Sequence, residues 1–232
     1  MGAECKFDYY KIDKIEKNDR LHISGRSEGK PVDVVCDKII VASSMKPNIK
    51  GYGLEGSGID FSEKGIIVDE NMRTNINGVY AAGDCTGGMM LAHLAEYQAF
   101  SAVENMTGIG TYCVDPDKVP ACTFFDPQIA AVGLTEKQAD ERGVEIEIGR
   151  AYFVFNGMSL AMNKTDGFIK VIADKQSGRI IGVHVIGPDA ANLIAEATLA
   201  VQNNITVKDA AYTIHPHPTL SEAFRDALFD IL

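Results

Sequence analysis

Residues 167–187 contain the feature that most restricts the fold, two strand-like runs separated by one short turn. GFIKVIAD and RIIGVHVIG are rich in β-branched residues, and KQSG between them carries the Ser and Gly typical of a turn. Two such runs with so short a connection pair as an antiparallel hairpin. A helical pattern follows Pro188-Asp189. Its apolar residues share one face, so the helix is expected to pack on the sheet: Leu193, Ile194, Ala197, Ala200 and Val201.

More strands accompany this hairpin between residues 113 and 232. Short apolar runs predict strands at ACTFF, IAAVGL, VEIEI and YFVF. A helix is expected to begin at Thr135, because Thr135 and Gln138 form a Thr-x-x-Gln capping box, and Gly143 ends it. A last helix is predicted from about Leu220 to the C-terminus. This order of elements predicts an α+β domain with an antiparallel sheet.

The chain before residue 113 divides into two further segments. Residues 1–45 predict the short strands DYYKIDKIE, RLHISGRS and VDVVCDKIIVAS, with no helical pattern between them. Residues 46–112 predict a Pro/Gly-rich connection, a strand at GIIVD, a buried strand at 79–82 and a long helix. The order strand, Gly-Asp, glycines, helix is typical of half a nucleotide-binding, Rossmann-like unit. The predicted fold class is therefore α/β followed by α+β.

The glycines of GYGLEG, residues 51–56, match the spacing G-x-G-x-x-G of a dinucleotide-binding loop. Such a loop needs a strand before it and a helix after it, so that helix N–H groups meet the pyrophosphate. Here KPNIK precedes the glycines and SGIDFSEKG follows them. We interpret this stretch as a connector.

Charge and cysteine content exclude several function classes. A net charge of −10 argues against nucleic acid or an anionic membrane as the main partner. No apolar run approaches the roughly 18 residues that a membrane span needs. The five cysteines are scattered, without a C-x-x-C pair, which favours free thiols in the cytoplasm and argues against a metal site.

Gly83 and Asp84 follow the predicted buried strand and precede the long helix. An Asp at the carboxyl end of a parallel strand can accept hydrogen bonds from ribose or ribityl hydroxyl groups. The N-terminus of the next helix offers free N–H groups and partial positive charge to an anionic ligand. A turn role for Asp84 accounts for the same residues, so the pattern alone leaves both interpretations open.

Residues 74–95 resemble a known family. T-x-x-x-G-V-Y-A-A-G-D followed by M-L-A-H-L-A is similar to the second flavin motif of the pyridine nucleotide-disulphide oxidoreductases. DKIIVASSMKPN resembles the strand by which the chain leaves that family's NAD-binding domain. FFDPQIAAVGLTE, GFIKVIADKQSGRIIGVHVIG and HPHPTLSEAF resemble its interface domain, and HPTLSE resembles its dihydrolipoamide dehydrogenase branch. The resemblance covers nearly the whole chain.

The resemblance implies an assignment for each segment. Residues 1–45 become the end of an NAD-binding domain, residues 46–112 the C-terminal half of an FAD-binding domain, and residues 113–232 the interface (dimerisation) domain. It also implies a partial FAD site, in which Asp84 lies at the ribityl-phosphate region and residues 90–92 lie beside the isoalloxazine ring. The residues of that site are Gly83, Asp84, Met90, Leu91, Ala92 and His93.

HPHPTLSE places two histidines before two prolines. Proline restricts the preceding residue to extended conformations, which fixes the direction of each imidazole. The resemblance makes His217 the acid/base for thiol chemistry and Glu222 its orienting partner. Thr219-x-x-Glu222 is also a capping-box pattern, and the two roles are compatible. His215 is interpreted as structural, and His184 as a packed or interface histidine.

The family's reaction passes electrons from a dithiol to a protein disulphide, then to FAD, then to NAD. The 232 residues contain no C-x-x-x-x-C redox pair and no credible glycine-rich nucleotide loop. We therefore expect the C-terminal part of a longer, homodimeric enzyme, inactive and a weak binder of FAD without its N-terminal half. Two alternatives stay open: a non-catalytic dimerisation module, and a glutathione or mercuric reductase-like enzyme with a different substrate.

Overall fold

The structure, a computed structural model, describes residues 10–43, 45–110 and 112–232. It divides into two units, Met1–Met45 and Lys46–Leu232. The first unit is a three-stranded antiparallel sheet whose spatial order follows the chain. Its strands are β1 (Tyr10–Lys17), β2 (Leu21–Ser27) and β3 (Lys30–Cys36). Residues 8–9 of the first predicted strand, Cys5 and Ser44 lie outside the described residues.

The second unit begins with loops and one long helix. A two-stranded hairpin precedes that helix, and of the strand predicted at GIIVD only Gly65–Ile66 take part in it. These elements are β4 (Phe61–Ser62), β5 (Gly65–Ile66) and α1 (Ala92–Thr107). GYGLEG has no α-helix after it, because Leu54–Gly56 form a single 3-10 turn and β4 follows. The interpretation of those glycines as a connector is confirmed.

The predicted strand at residues 32–43 is a strand only as far as Cys36, and the predicted strand at residues 79–82 is wrong. Residues 38–43 form no strand, and the side chains of Ile40 and Val41 are 91% and 79% exposed. Residues 79–82 form no strand either, apart from one isolated bridge between Arg73 and Tyr80. Both runs have the composition of parallel strands, which take their hydrogen bonds from neighbours distant in sequence. The described part of the chain supplies no such neighbour to either run.

The rest of the second unit is an α+β domain around a five-stranded antiparallel sheet of order β6-β7-β10-β9-β8. The strands are β6 (Ala121–Thr123), β7 (Gln128–Gly133), β8 (Ile146–Tyr152), β9 (Phe168–Asp174) and β10 (Ile180–Gly187). β9 and β10 form the predicted hairpin. YFVF is not a separate strand; it continues β8 into a 3-10 turn.

Five helices accompany this sheet among the described residues. They are α2 (Glu136–Glu141), α3 (Gly157–Ala161), α4 (Ala190–Gln202), α5 (Val207–Ala211) and α6 (Glu222–Phe229). The capping box of Thr135 and Gln138 is present at the start of α2, as predicted. The sequence patterns did not predict α3 or α5, which have five residues each. None of the helices in the described ranges is both long and apolar enough to span a membrane.

The core lies where α4 and α6 cover one face of this sheet. α4 packs against β7 and β10, while α6 packs against β8 and β9. Side chains from both layers are almost completely buried there, including Val132, Val171, Val183, Ile194 and Leu228. Burial alternates along β10: Val183 and Val185 are buried, whereas His184 and Ile186 are less so. One side of the strand therefore faces the helices.

At the outer strand β8, the C-terminal helix lies very close to the backbone. The N–H of Arg150 donates to Asp230 Oδ2 at 2.9 Å. A side chain at Gly149 would collide with the carbonyl oxygen of Ala227 and would lie 2.7 Å from Ile231 Cγ1. Only glycine therefore allows α6 to approach β8 this closely.

Candidate active site

His217 and Glu222 are in contact just before α6. His217 Nδ1 lies 3.0 Å from Glu222 Oε1 and 3.1 Å from Oε2. The His217 side chain is 78% exposed, whereas the Glu222 side chain is 9% exposed. A buried carboxylate therefore holds an imidazole that points into open space.

The Glu222 carboxylate is held by three groups. Besides His217, the backbone N–H of Thr219 donates to Oε2 at 2.9 Å and Arg225 Nη1 donates to Oε1 at 3.3 Å. The hydrogen bond from Thr219, followed by that from His217, lowers the pKa of Glu222 below its ordinary value. Glu222 thus stays ionised at neutral pH and accepts hydrogen bonds only.

This carboxylate fixes the tautomer of His217. An ionised carboxylate can only accept, so Nδ1 must donate to it. In the neutral ring the other nitrogen, Nε2, then has a free lone pair. Nε2 belongs to His217, the exposed member of the pair, and can take a proton from a bound molecule.

The capping alternative for Glu222 is present in part. The Thr219 N–H donates to the Glu222 carboxylate, which is half of a capping box. The reciprocal bond, from the Glu222 N–H to the Thr219 hydroxyl, is not formed among the described residues, and that hydroxyl donates to the Pro216 carbonyl at 2.8 Å. The helix itself begins at Glu222 after Ser221. One carboxylate therefore serves the backbone and His217 together.

His215 differs sharply from His217. Its side chain is only 4% exposed, and both ring nitrogens have partners. Nδ1 lies 2.8 Å from the Thr213 carbonyl and Nε2 lies 2.8 Å from Glu196 Oε1. The structural role expected for His215 agrees with this geometry.

Asn156 is a residue of this region that the sequence patterns missed. It is 5% exposed, and its Nδ2 donates to the Thr219 carbonyl at 3.0 Å. Its Oδ1 accepts from the N–H of Ser159 at 3.0 Å and so caps α3. The capping half has a local signal, an Asn three residues before Ser159, but the contact with Thr219 spans 63 positions.

The expected flavin residues lie around the N-terminus of α1. Gly83, at φ 83°, donates its N–H to Gln98 Oε1 at 2.7 Å, and a Cβ on it would lie 3.3 Å from Ala95 Cβ. Asp84 is exposed in a 3-10 turn and not at the end of a strand, because the strand at 79–82 is absent.

The start of α1 has no side-chain cap among the described residues. Leu91 occupies the N-cap position in an extended conformation, and its side chain makes no capping hydrogen bond. Met90 and Leu91 are half-buried, whereas Ala92 and His93 are exposed. The first N–H groups of α1 are therefore left to an outside acceptor.

His93 Nε2 lies 2.8 Å from the Pro120 carbonyl. The residue also lines a cavity of about 680 Å³ between α1 and α4, together with Tyr97, Cys122, Ile194 and Thr198. No hydrogen bond among the described residues joins the segment 83–93 to the pair of His217 and Glu222. The structure thus shows two separate groups of expected site residues.

The remaining titratable candidates have structural surroundings. His184 lies in β10 with Nε2 3.1 Å from the Leu134 carbonyl, and burial lowers its pKa. The cysteines at 36, 85, 113 and 122 are free thiols. In the described ranges, no three His, Cys, Asp or Glu side chains come together as a metal site would require.

Comparison with known proteins follows the same division of the chain. The model of the pyridine nucleotide-disulphide oxidoreductase dimerisation domain matches residues 119–228, and a second model, pyridine nucleotide-disulphide oxidoreductase, matches residues 9–99. Together they match most of the chain.

Two curated relatives named dihydrolipoyl dehydrogenase match most of this chain. The chain is 40% identical to the mitochondrial dihydrolipoyl dehydrogenase of Caenorhabditis elegans over 208 residues, which are 89% of this chain and 42% of that protein. It is 39% identical to the dihydrolipoyl dehydrogenase of Bacillus subtilis over 211 residues, 90% of this chain and 44% of that protein. The chain therefore spans less than half the length of these relatives.

Solved structures agree in fold. A crystal structure of LpdA from Mycobacterium tuberculosis superimposes with a TM-score of 0.87 at 29% identity, covering 96% of this chain and 48% of that one. The HOCl-induced flavoprotein disulfide reductase RclA from Escherichia coli has a TM-score of 0.83 at 23% identity, over 94% of this chain and 50% of that one, and supports the fold alone. With both family models matched and both halves of the fold reproduced, the chain belongs to the pyridine nucleotide-disulphide oxidoreductase family.

Proposed function

We propose that this chain supplies the acid/base pair, one side of the FAD site and the dimer-forming surface of a dihydrolipoamide dehydrogenase. The overall reaction is oxidation of a dithiol coupled through FAD to NAD. The observation that carries the proposal is the contact of His217 with the buried Glu222, which leaves Nε2 of an exposed ring as a proton acceptor. The relatives that share this chain's sequence bear the name of that activity.

The role of the pair follows from thiol chemistry. A thiol attacks a disulphide only as the thiolate, so a base must first remove its proton. His217 Nε2 takes that proton, and the ring becomes an imidazolium whose charge the ionised Glu222 stabilises. When the cycle reverses, the same atom returns the proton to a sulfur. Glu222 itself neither gains nor loses a proton.

The residues near α1 fit part of a flavin site. The exposed Asp84 carboxylate can accept hydrogen bonds from sugar-alcohol hydroxyl groups, and the uncapped N–H groups of α1 suit an acceptor or an anion. Gly83 lets the backbone before Asp84 lie close to Ala95 of α1. When bound, FAD would accept the electron pair of the dithiol and pass it to NAD. Asp84 and the backbone of residues 90–93 would hold it on this side.

A second copy of the chain is the partner we propose for the α+β domain. Large apolar side chains stand exposed on it, including Phe155 at 83%, Ile214 at 95% and Tyr212 at 67%. Ile214 and Tyr212 are neighbours of the loop that carries His217, so a dimer contact there would also shape the site. Exposed apolar groups of this size are typical of a protein interface.

Light scattering of the purified chain tests the dimer. A mass of twice the chain is expected at micromolar concentration, and Phe155→Glu should shift the mass toward the monomer. Ile40→Glu, a change at a 91% exposed residue of the first unit, is the matched control and should leave the mass unchanged. A monodisperse monomer of the unmodified chain would contradict the dimer.

Steady-state kinetics test the acid/base role. We use the native polypeptide that carries these 232 residues and measure NAD-linked oxidation of dihydrolipoamide from pH 5 to 9. His217→Gln keeps a hydrogen-bonding side chain but removes the proton acceptor, and should lower turnover by about 10²–10⁴-fold. His184→Gln, a change at a half-buried histidine away from the pair, should alter turnover less than about twofold.

The outcomes separate the alternatives. Normal turnover with an unchanged pH profile in His217→Gln would refute the proposal. Turnover of glutathione disulphide or a mercuric substrate in place of dihydrolipoamide would keep the acid/base role and change the substrate. A native polypeptide that dimerises yet turns over none of these, with FAD and NAD supplied, would be a non-catalytic dimerisation module.

A further inference from the structure

The loop between α5 and α6 carries His217 on its exposed side. Such a loop has few backbone contacts of its own, yet a base must be held to within a fraction of an ångström of its working position. Two side chains that are not part of the acid/base pair fasten this loop to the domain. One is His215, on the N-terminal side of His217, and the other is Asn156, on the C-terminal side.

His215 connects the loop to helix α4. Its Nε2 faces Glu196 Oε1 at 2.8 Å, and Glu196 belongs to α4. Residues on either side of Glu196, Ile194 and Ala197, are 3% and 1% exposed in the core. The position of Glu196 is therefore fixed by the packing of α4 on β7 and β10.

The second ring nitrogen of His215 holds the loop to itself. Nδ1 faces the Thr213 carbonyl at 2.8 Å. Both ring nitrogens of His215 are thus engaged within the domain, one by the Thr213 carbonyl and the other by the Glu196 carboxylate. With 4% of its side chain exposed, His215 cannot exchange protons with a substrate and serves as a bridge.

Asn156 fastens the other end of the loop. Its Nδ2 donates to the Thr219 carbonyl at 3.0 Å, one residue after Pro218. Thr219 in turn donates its N–H to Glu222. The loop is thus fixed two residues before His217 and two residues after it, from different parts of the domain.

We propose that His215, held by Glu196, is a positioning residue that acts on catalysis through His217. The inference rests on the proposed function, because it assigns no chemistry to His215 itself. Loss of the bridge leaves the buried His215 ring or the partly exposed Glu196 carboxylate without its partner, and the loop regains freedom two residues before His217. The pair of His217 and Glu222 then forms in only part of the molecules.

The test is a set of variants in the native polypeptide, assayed for NAD-linked oxidation of dihydrolipoamide. The His215 ring contacts two acceptors, and the single amide of a glutamine cannot replace both contacts. His215→Gln should therefore lower kcat by about 10–100-fold, with KM for NAD unchanged. Glu196→Gln, which keeps the shape of the carboxylate, should lower kcat in the same direction by about 3–10-fold. His184→Gln is the matched histidine control and should change kcat less than about twofold.

The decisive comparison repeats His215→Gln in the His217→Gln background. A positioning residue that works through His217 has nothing left to position there, so kcat should change less than about twofold. A residue that merely supports the fold would lower kcat by the same factor in both backgrounds. Equal factors in the two backgrounds, or no effect of His215→Gln in the unmodified enzyme, would overturn the inference.

Folding is checked for every variant by its thermal transition and its oligomeric mass. If His215→Gln does not fold, Glu196→Gln in both backgrounds decides the matter by the same criterion. Normal turnover in His217→Gln alone would overturn the proposed function, and this inference with it. A loss of turnover at His217 combined with none at His215 or Glu196 would overturn the inference alone.

Discussion

Residues 46–112 and residues 113–232 use similar helices in different ways. Helix α1 leaves Tyr97, Phe100, Val103 and Met106 about half exposed, whereas α4 buries Ile194, Ala197 and Val201 almost completely. Before residue 113, the buried apolar side chains in the described ranges are Ile49, Met72, Leu94 and Ala102. The later region has its own closed core.

The difference follows from the kind of sheet that each region encodes. An antiparallel sheet built from a hairpin and short connections finds its partners within one stretch of chain, so residues 113–232 close on themselves. The runs at 38–43 and 79–82 have the pattern of parallel strands and need neighbours from further away. A sequence can thus specify a strand without supplying its sheet.

A core substitution should produce the largest difference in stability between the two regions. Phe153 is completely buried beside β10, where Gly187 leaves room for its ring, and Phe153→Ala should lower the free energy of unfolding by about 3–5 kcal/mol. Phe100→Ala, at a 51% exposed position of α1, should cost about 1 kcal/mol or less. Urea unfolding followed by circular dichroism measures both. Similar losses would mean that α1 is as well packed as the α+β domain.

A backbone contact gives the next contrast. Gly149→Ala places a methyl group against the Ala227 carbonyl and should cost about 1–3 kcal/mol by pushing α6 away from β8. Gly56→Ala meets nothing within 4 Å and should change stability by less than about 0.5 kcal/mol. The same unfolding experiment applies, and a neutral Gly149→Ala would show that α6 can move without loss.

The ionised carboxylate of Glu222 should produce the smallest of the three differences in stability. Hydrogen bonds from Thr219 and His217 lower the pKa of Glu222 in the folded state, so its stabilisation is complete above the ordinary pKa of about 4.5. That stabilisation is lost as the pH falls below this ordinary value toward the lower folded-state value. Glu222→Gln should therefore cost about 1 kcal/mol at pH 7 and progressively less in acid.

Glu70→Gln is the control for that change, because Glu70 is an exposed carboxylate of the earlier region. It should leave the stability unchanged within about 0.5 kcal/mol at every pH. Unfolding midpoints between pH 3 and 7 decide the comparison. A cost for Glu222→Gln that stays constant over this range would contradict the assigned ionisation.

Local patterns predicted the elements whose partners are close in sequence. The β9–β10 hairpin, the capping box at Thr135 and the contact of His217 with Glu222 each lie within one element or join two consecutive ones, and all are present. The catalytic role of that pair and the flavin role of residues 83–93 stay predictions. α5 carried a usable signal, since Thr206 caps it and contacts Asp209 three residues on, but its five residues are too few for apolar periodicity.

Contacts between distant residues left no trace in the sequence patterns. His215 meets Glu196 across 19 positions, and Asn156 meets Thr219 across 63. Neither contact has a fixed spacing, because it depends on how α4 and α3 come to rest on the sheet. For the same reason, the resemblance predicted a base at His217, but no sequence pattern indicated which residues hold its loop.

The close approach of α6 to β8 also determines how the sheet can meet another molecule. An outer strand with free N–H and C=O groups is a template on which a further strand can be added. Here Asp230 already occupies the Arg150 N–H, α6 stands against Gly149, and the opposite outer strand, β6, has only three residues. At the β8 edge, α6 and Asp230 therefore block a strand from a second subunit, and at the β6 edge only three residues could pair with one. Assembly of this domain through side chains and helices is therefore favoured over extension of its sheet.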